Sequence, residues 1–360
     1  MKKRTILVTG ADGFIGSHFL EHVILNTDDN VVCVCSWSKG GLPDRITDMP
    51  RVMDRMGDRV TVVTHDLSVP FSRMQNRVFI KMGVTDIVHF ASDSHVDRSI
   101  SDPVPFIKNN VSVTLTMLEL ARLLQAHYAS DPLGDTGLNA FVQISTDEVY
   151  GPAHGDHRHA EWEPIIPSNP YAASKAAQEA IATAYWRTYG VPVIITNTMN
   201  NVGERQGGEK FLPMIVRSVL EGVTLPIHAI DGVVGSRYYL HARNHADAVL
   251  HIIKNTNVSS YMAPGREPPH ASLPDRYHVV GEQELSNLEL AQYVAESLGK
   301  PLLYDLVDGH SARPGHDLRY ALNGDKLEQC GWSAPVPLLD SIRKTVQWYV
   351  RNPEWLKHTG

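Results

Sequence analysis

Apolar, largely β-branched residues arrive in short runs at positions 4–9, 30–35, 60–64, 86–90, 139–145 and 192–196. Each run is strand-sized and nearly continuous rather than alternating, the pattern of strands covered on both faces. Between them, at 14–25, 72–82, 104–127 and 171–189, apolar residues recur at three- and four-residue spacing, which predicts amphipathic helices. The alternation predicts βαβ units and therefore an α/β protein with a doubly wound parallel sheet. Residues 130–138 (SDPLGDTGL) read as a surface loop from their Gly, Pro and Asp content. After about residue 203 the runs shorten and Gly and Pro become frequent, with helices expected at 286–298 and 338–350. One domain is therefore expected over 1–202, with about 238–262 returning to it. A smaller, mixed C-terminal domain is expected from 203–237 and 263–360.

The first strand runs directly into GADGFIG, with Gly10, Gly13 and Gly16, and then into a helix. The first glycine permits the turn, the second lets backbone approach a pyrophosphate, and the third packs helix against strand. The exposed N–H groups of that helix then face the phosphates. A dinucleotide-binding Rossmann domain is expected on this ground. An Asp or Glu usually ends the second strand to hold the ribose hydroxyls, but here Cys35 stands there, followed by Ser36. Backbone and Ser36 are expected to replace the carboxylate. NAD is the expected cofactor, with NADP open because a negative charge is missing. Asp66 and Leu67, ending the third strand, are placed to flank an adenine.

The run at 139–145 ends in STDEVYG, and Tyr171 and Lys175 follow on a helix at i, i+4, sharing one face. An ammonium beside a phenol favours the phenolate, so Tyr171 can take a proton from a hydroxyl as hydride leaves the carbon. Asp147 and Glu148 are adjacent carboxylates at a strand's carboxyl end. Two such groups in a dry site do not both ionise easily, so one is expected to act as acid and the other as base. Elimination of water across neighbouring carbons needs that combination.

Composition narrows the class. A formal net charge of −7 argues against nucleic-acid binding, and no apolar run is long enough to span a membrane. Three cysteines form no disulfide framework, and Cys33 and Cys35 share a strand face without bridging readily. A cytoplasmic location is expected.

Through these motifs the chain resembles the extended short-chain dehydrogenase/reductase family, most closely its dTDP-glucose 4,6-dehydratases. GADGFIG, STDEVYG and YAASK are joined by HFASDSHVDRSI (89–100), NNVGERQGGEKFLP (200–213) and RPGHDLRYAL (313–322), in the family's order. The resemblance implies oxidation of a hexose at C4 by a bound nicotinamide, loss of water across C5 and C6, and reduction at C6. Tyr171 would be the base at C4, supported by Lys175 and Thr146; Glu148 would take the C5 proton and Asp147 protonate the C6 hydroxyl. The implied cofactor set is Gly10, Gly13, Phe14, Ile15, Gly16, Ser36, Asp66, Leu67 and Ala91, with Tyr171 and Lys175. Ser94 and Val96 would border the glucosyl unit. Asn200, Lys210, Phe211, Pro226, His228, Arg237, Asn287, Arg313 and His316 would hold the nucleoside diphosphate, arginines suiting phosphate by bidentate pairing. The second domain would then bind the nucleotide sugar.

Departures from the family fall at the handles: Cys35, Asp93 where Glu is usual, His228 where Tyr is usual, the RQGGEKF segment, and two extra residues before Arg237. The nucleotide base therefore stays open. A nucleotide-sugar 4-epimerase or a non-catalytic dinucleotide sensor is the alternative; the former lacks the acid–base pair and the latter needs no Tyr171. HGDHRH (154–159) reads as a solvated loop rather than a metal site, since no cysteine or second cluster accompanies it. His89 and His95 read as structural. The helices at 104–127 and 171–189 are expected to pair with a second copy as a four-helix bundle, as in relatives of this kind.

Overall fold

The computed structural model describes residues 3–38, 40–130, 137–255, 273–308 and 317–358. Arg313, His316 and most of the 130–138 loop lie outside the described residues. Strands β1 (Thr5–Thr9), β2 (Asn30–Cys35), β3 (Val60–Thr64), β4 (Asp86–His89), β5 (Ala140–Thr146) and β6 (Val193–Thr198) form one sheet together with Asp275–Val279. Its order is Asp275–Val279, β6, β5, β4, β1, β2, β3. The pairs β1·β2, β1·β4, β2·β3 and β4·β5 are parallel. Order reverses at β1, which has β2 on one side and β4 on the other, so the loops leaving β1 and β4 diverge around a crevice. The fold is the expected α/β Rossmann architecture. The seventh strand is an addition. Its sequence, DRYHV, carries Asp275, Arg276 and His278, and this polar content hid it from a reading based on apolar runs.

The chain divides into two compact units. The first comprises Met1–Thr146, Pro170–Asn197 and Val249–Tyr277, and the second Asp147–Asn169, Thr198–Ala248 and His278–Gly360. In the first, the helices Pro103–Ala129 and Pro170–Tyr189 lie along each other. Met117, Leu118, Ala121 and Leu124 of the former join Trp186 of the latter and Phe141, Val193 and Ile195 of the sheet in one core. Each such large apolar side chain, fully removed from water, contributes about 1.5–3 kcal/mol. Proline at the first turn starts the longer helix, where its missing N–H costs nothing.

In the second unit, Leu225–Ile230 pairs in parallel with Tyr304–Asp308 and antiparallel with Val233–Val234. Helix Asn287–Leu298 begins with a capping box, Ser286 with Glu289, and ends at Gly299 with φ 63°. It packs on Phe211–Glu221 and Leu338–Arg351. Among the described residues, no helix is long and apolar enough to cross a membrane.

Candidate active site

The glycine loop is built so that nothing but backbone fits. Gly10 has φ 65°, and a Cβ there would lie 3.1 Å from the Ala91 backbone. The Gly13 N–H donates to Gly10 O at 2.9 Å, and a Cβ on Gly16 would stand 2.1 Å from that same oxygen. Helix Phe14–Asn26 then starts at Gly13 with no side-chain cap. Its first amides, with half-buried Phe14 and Ile15 in the opening turn, are left for an anion. Ala91 closes the other side of the crevice, its N–H donating to Thr9 Oγ1 at 3.1 Å. This donor set fits the pyrophosphate of a dinucleotide.

At the end of β2, Cys35 is buried and its thiol is pushed up, mostly by desolvation and then by the Asp12 carboxylate. Asp12 is a residue the sequence reading passed over. Its Oδ2 accepts from the Trp37 N–H at 3.0 Å, and the Arg45 guanidinium donates to its carbonyl oxygen at 3.2 Å. Burial raises the Asp12 carboxyl against the pull of these partners. A carboxyl group therefore does stand beside the end of β2, but it comes from the glycine loop. The only signal was an acidic residue directly before the second glycine. Ser36 is exposed and accepts from the Ser38 hydroxyl at 2.9 Å. Asp66 receives the Ser68 N–H at 2.9 Å, and Leu67 is buried within the sheet's core.

Tyr171 and Lys175 sit in the first two turns of Pro170–Tyr189. Lys175 is buried, its Nζ donates to Ile144 O at 2.7 Å, and desolvation pushes its pKa down to about 7. Tyr171 is half-buried with Phe106 edge-on at 6.3 Å, and its N–H donates to Ser99 Oγ at 3.1 Å. One turn further, Asn110 donates to Ser174 Oγ at 2.8 Å and exchanges two bonds with the Asp93 backbone. That carries the helix's position to the Asp93–Ser94 segment; Ser94 is exposed, and Val96 opens the helix Val96–Ser101. Thr146 is buried at the end of β5, its carbonyl accepting from Asn197 Nδ2 at 3.0 Å. His89 bridges Thr9 and Thr114, and burial pushes it down to about 3, which makes it a neutral structural residue as expected.

In the second unit, Asp147–Tyr150 forms a 3-10 turn, with Asp147 buried and Glu148 half-buried. Asn169 Nδ2 donates to Glu148 Oε2 at 3.0 Å. Desolvation first, and the Asp147 carboxylate second, push Glu148 up to about 7, against Asn169 and Arg237; Asp317 adds a smaller push upward. Tyr150 ends the same turn; its hydroxyl lies 2.8 Å from His278 Nε2 and 3.1 Å from Glu161 O. Asn169 and His278 belong to none of the motifs read from the sequence, and Asp317 and Tyr320, though inside RPGHDLRYAL, were given no role there.

The same unit holds the residues expected at the nucleotide. Arg237 donates to Ser236 O and Leu318 O at 2.6 Å and to Asp317 O at 2.8 Å, with its guanidinium 4.6 Å from the centre of the Tyr320 ring. Asn287 accepts from the Tyr239 hydroxyl at 2.6 Å. Pro226 and His228 fall on the less buried face of Leu225–Ile230, as strand alternation requires. Lys210 precedes Phe211 at the start of Phe211–Glu221, and Asn200, exposed, has its carbonyl bound by the Leu240 N–H.

A family model described as GDP-mannose 4,6 dehydratase matches residues 7–345. The chain belongs to that family. It is 33% identical to the dTDP-glucose 4,6-dehydratase of Neisseria gonorrhoeae, over 97% of this chain and 96% of that one. A dTDP-glucose 4,6-dehydratase of Streptomyces venezuelae, solved with NAD bound, superposes with TM-score 0.78 at 32% identity, covering 98% of each chain. The UDP-glucose 4-epimerase of Thermus thermophilus, also solved with NAD, gives TM-score 0.76 at 25% identity, over 96% of this chain and 99% of that one. The family is one of extended short-chain dehydrogenases, so the resemblance read from GADGFIG, STDEVYG and YAASK is correct. Within the family scaffold, the departures at Cys35 and His228 sit at strand positions that keep their backbone pairing, Cys35 with Thr64 and His228 with Val307.

Proposed function

We propose that the protein is an NAD-dependent nucleotide-hexose 4,6-dehydratase acting on dTDP-glucose. The observation that carries this is Glu148, a carboxyl group pushed up to about 7 beside a second carboxylate directly after β5. A group poised near neutrality is suited to take a proton next to a ketone and to return it. The activity of the relatives and the NAD bound in their solved structures support the reading.

Gly10, Gly13, Phe14, Ile15, Gly16 and Ala91 would hold the pyrophosphate half of NAD, with Ser36, Asp66 and Leu67 toward its adenosine. When bound, NAD supplies reversible hydride acceptance, so C4 is oxidised, C6 is later reduced, and the sugar shows no net redox change. The Tyr171 oxygen takes the proton of the C4 hydroxyl, with Lys175 holding that oxygen's charge and Thr146 aligning the hydroxyl. Glu148 removes the proton from C5, activated by the C4 ketone. The coupled pair holds one proton between its two carboxyl groups; with Glu148 ionised it sits on Asp147, which gives it to the C6 hydroxyl as that hydroxyl leaves as water. Glu148 then returns its proton to C5. Ser94 and Val96 border the glucosyl ring. Asn200, Lys210, Phe211, Pro226, His228, Arg237 and Asn287 hold the nucleoside diphosphate, and we extend this role to Arg313 and His316. The first unit is thus the cofactor domain and the second the nucleotide-sugar domain. We also propose a cytoplasmic homodimer joined through Pro103–Ala129 and Pro170–Tyr189, a reading supported by exposed Leu115 and Tyr189 on those helices.

Incubation with dTDP-glucose should yield a product lighter by one water and showing the alkali-induced absorbance of a 4-keto-6-deoxy sugar. If neither dTDP-glucose nor UDP-glucose lost water, the proposal would be wrong. A 4-epimer formed without loss of water would favour the epimerase reading.

A further inference from the structure

His157, His159 and Glu163 lie on the segment between Tyr150 and Asn169, outside every role assigned above. One donor atom from each falls within 4.8 Å of the others. His157 Nε2 lies 2.9 Å and His159 Nδ1 2.7 Å from the same oxygen, Glu163 Oε2. The two imidazoles stand at 88° with ring centres 4.8 Å apart, so they approach that oxygen from different directions. We propose that these three side chains form a site for one divalent transition-metal cation, with zinc the best chemical match. Two imidazole nitrogens and one carboxylate oxygen, plus a solvent position, are a common zinc set.

The geometry is supported from behind. The His159 ring is stacked on Tyr150 at 14° and 5.4 Å, and the residue is only 9% exposed. Its N–H donates to Ala321 O at 2.9 Å, and its carbonyl accepts from the Asn323 N–H at 2.8 Å. Arg319 donates to His157 O at 2.7 Å, so both histidine backbones are fixed to the 319–323 segment. Glu163 Oε1 takes the Ala160 N–H at 3.0 Å, which turns Oε2 toward the rings. Zinc bonds of about 2.0–2.2 Å put tetrahedral ligand atoms roughly 3.3 Å apart. To admit the ion, the two contacts to Glu163 open by about half an ångström, and the two ring nitrogens, within 4.8 Å of each other, close toward the same spacing. The His157 side chain, 49% exposed, leaves a solvent path to it. Reading HGDHRH as a solvated loop missed two things: His159 is buried, and Glu163, four residues on, supplies the third donor.

The test is direct titration of chelator-treated full-length protein with Co²⁺, followed by competition with Zn²⁺. The expected result is a visible ligand-field band saturating at one equivalent per chain and abolished by one equivalent of zinc. His157→Ala, at a half-exposed side chain, should weaken uptake at least roughly 100-fold, the upper end of what even an outer-shell partner costs. Glu163→Gln should do the same, and Cys330→Ser, at the exposed thiol, should change nothing. Absence of the band, or equal uptake by wild type and folded His157→Ala, would overturn the proposal. Neither result bears on the dehydratase reading, which uses none of these residues.

Discussion

At Glu148, burial and the adjacent Asp147 carboxylate both favour the protonated acid, so folding binds a proton that the unfolded chain releases above pH 4.5. A group raised in this way lends stability at low pH, and that stability is lost as pH rises through about 7. Glu148→Gln removes the loss. Its Tm should match wild type near pH 4 and exceed it by a few degrees at pH 8, as scanning calorimetry at both pH values would show. The same substitution should cut turnover by roughly 10²–10⁴-fold, the usual worth of a general base. A variant more stable and nearly inactive is the expected pairing, and one stabilised with full turnover would remove the base role. Asp147, Glu148, Tyr171 and Lys175 could be proposed from the sequence because the roles given to them rest on local spacing along a turn or helix. Asn169, Asp12 and His278 could not, because each acts on a partner that only the fold supplies.

Among the elements, the glycine loop and the strand Asp275–Val279 make opposite demands. Gly16 leaves no room: any Cβ meets Gly10 O at 2.1 Å, so Gly16→Ala must displace the loop that forms the phosphate cradle. Equilibrium titration with NAD should show binding weakened at least about tenfold, the effect of losing roughly 1.4 kcal/mol, while the circular dichroism spectrum is kept. In the strand, Arg276 is buried and ion-paired with Glu179 at 2.8 Å, the two side chains 6% and 1% exposed. Asn197 of β6 donates to the other Glu179 oxygen at 2.7 Å. Glu179→Ala strands a guanidinium in the core and should cost about 3–5 kcal/mol in urea unfolding. Replacing Arg276 and Glu179 together by Met and Leu should recover most of that loss. Apolar periodicity located β1 to β6 and their helices because those strands carry apolar side chains on both faces. It failed at Asp275–Val279, where a buried ion pair takes the place of one apolar contact.

For the molecule as a whole, the two long helices of the first unit turn most of their apolar surface inward, but Leu115 remains 38% exposed on the outer face. Glu119 and Arg122 on the same helix pair at 2.6 Å, Tyr185 donates to Glu119 at 2.6 Å, and Arg122 lies 5.1 Å from the centre of the Tyr189 ring. If this face joins two copies, Leu115→Glu should shift sedimentation from dimer to monomer without lowering the monomer's helix content; an unchanged dimer would locate the interface elsewhere. The chain itself crosses between the two units five times, after Thr146, Asn169, Asn197, Ala248 and Tyr277. Neither unit is one continuous stretch, so no single cut or splice could transplant the second unit from a relative. A shuffled gene would break both halves at once. A change of specificity in either unit must therefore arise by substitution in place, one residue at a time.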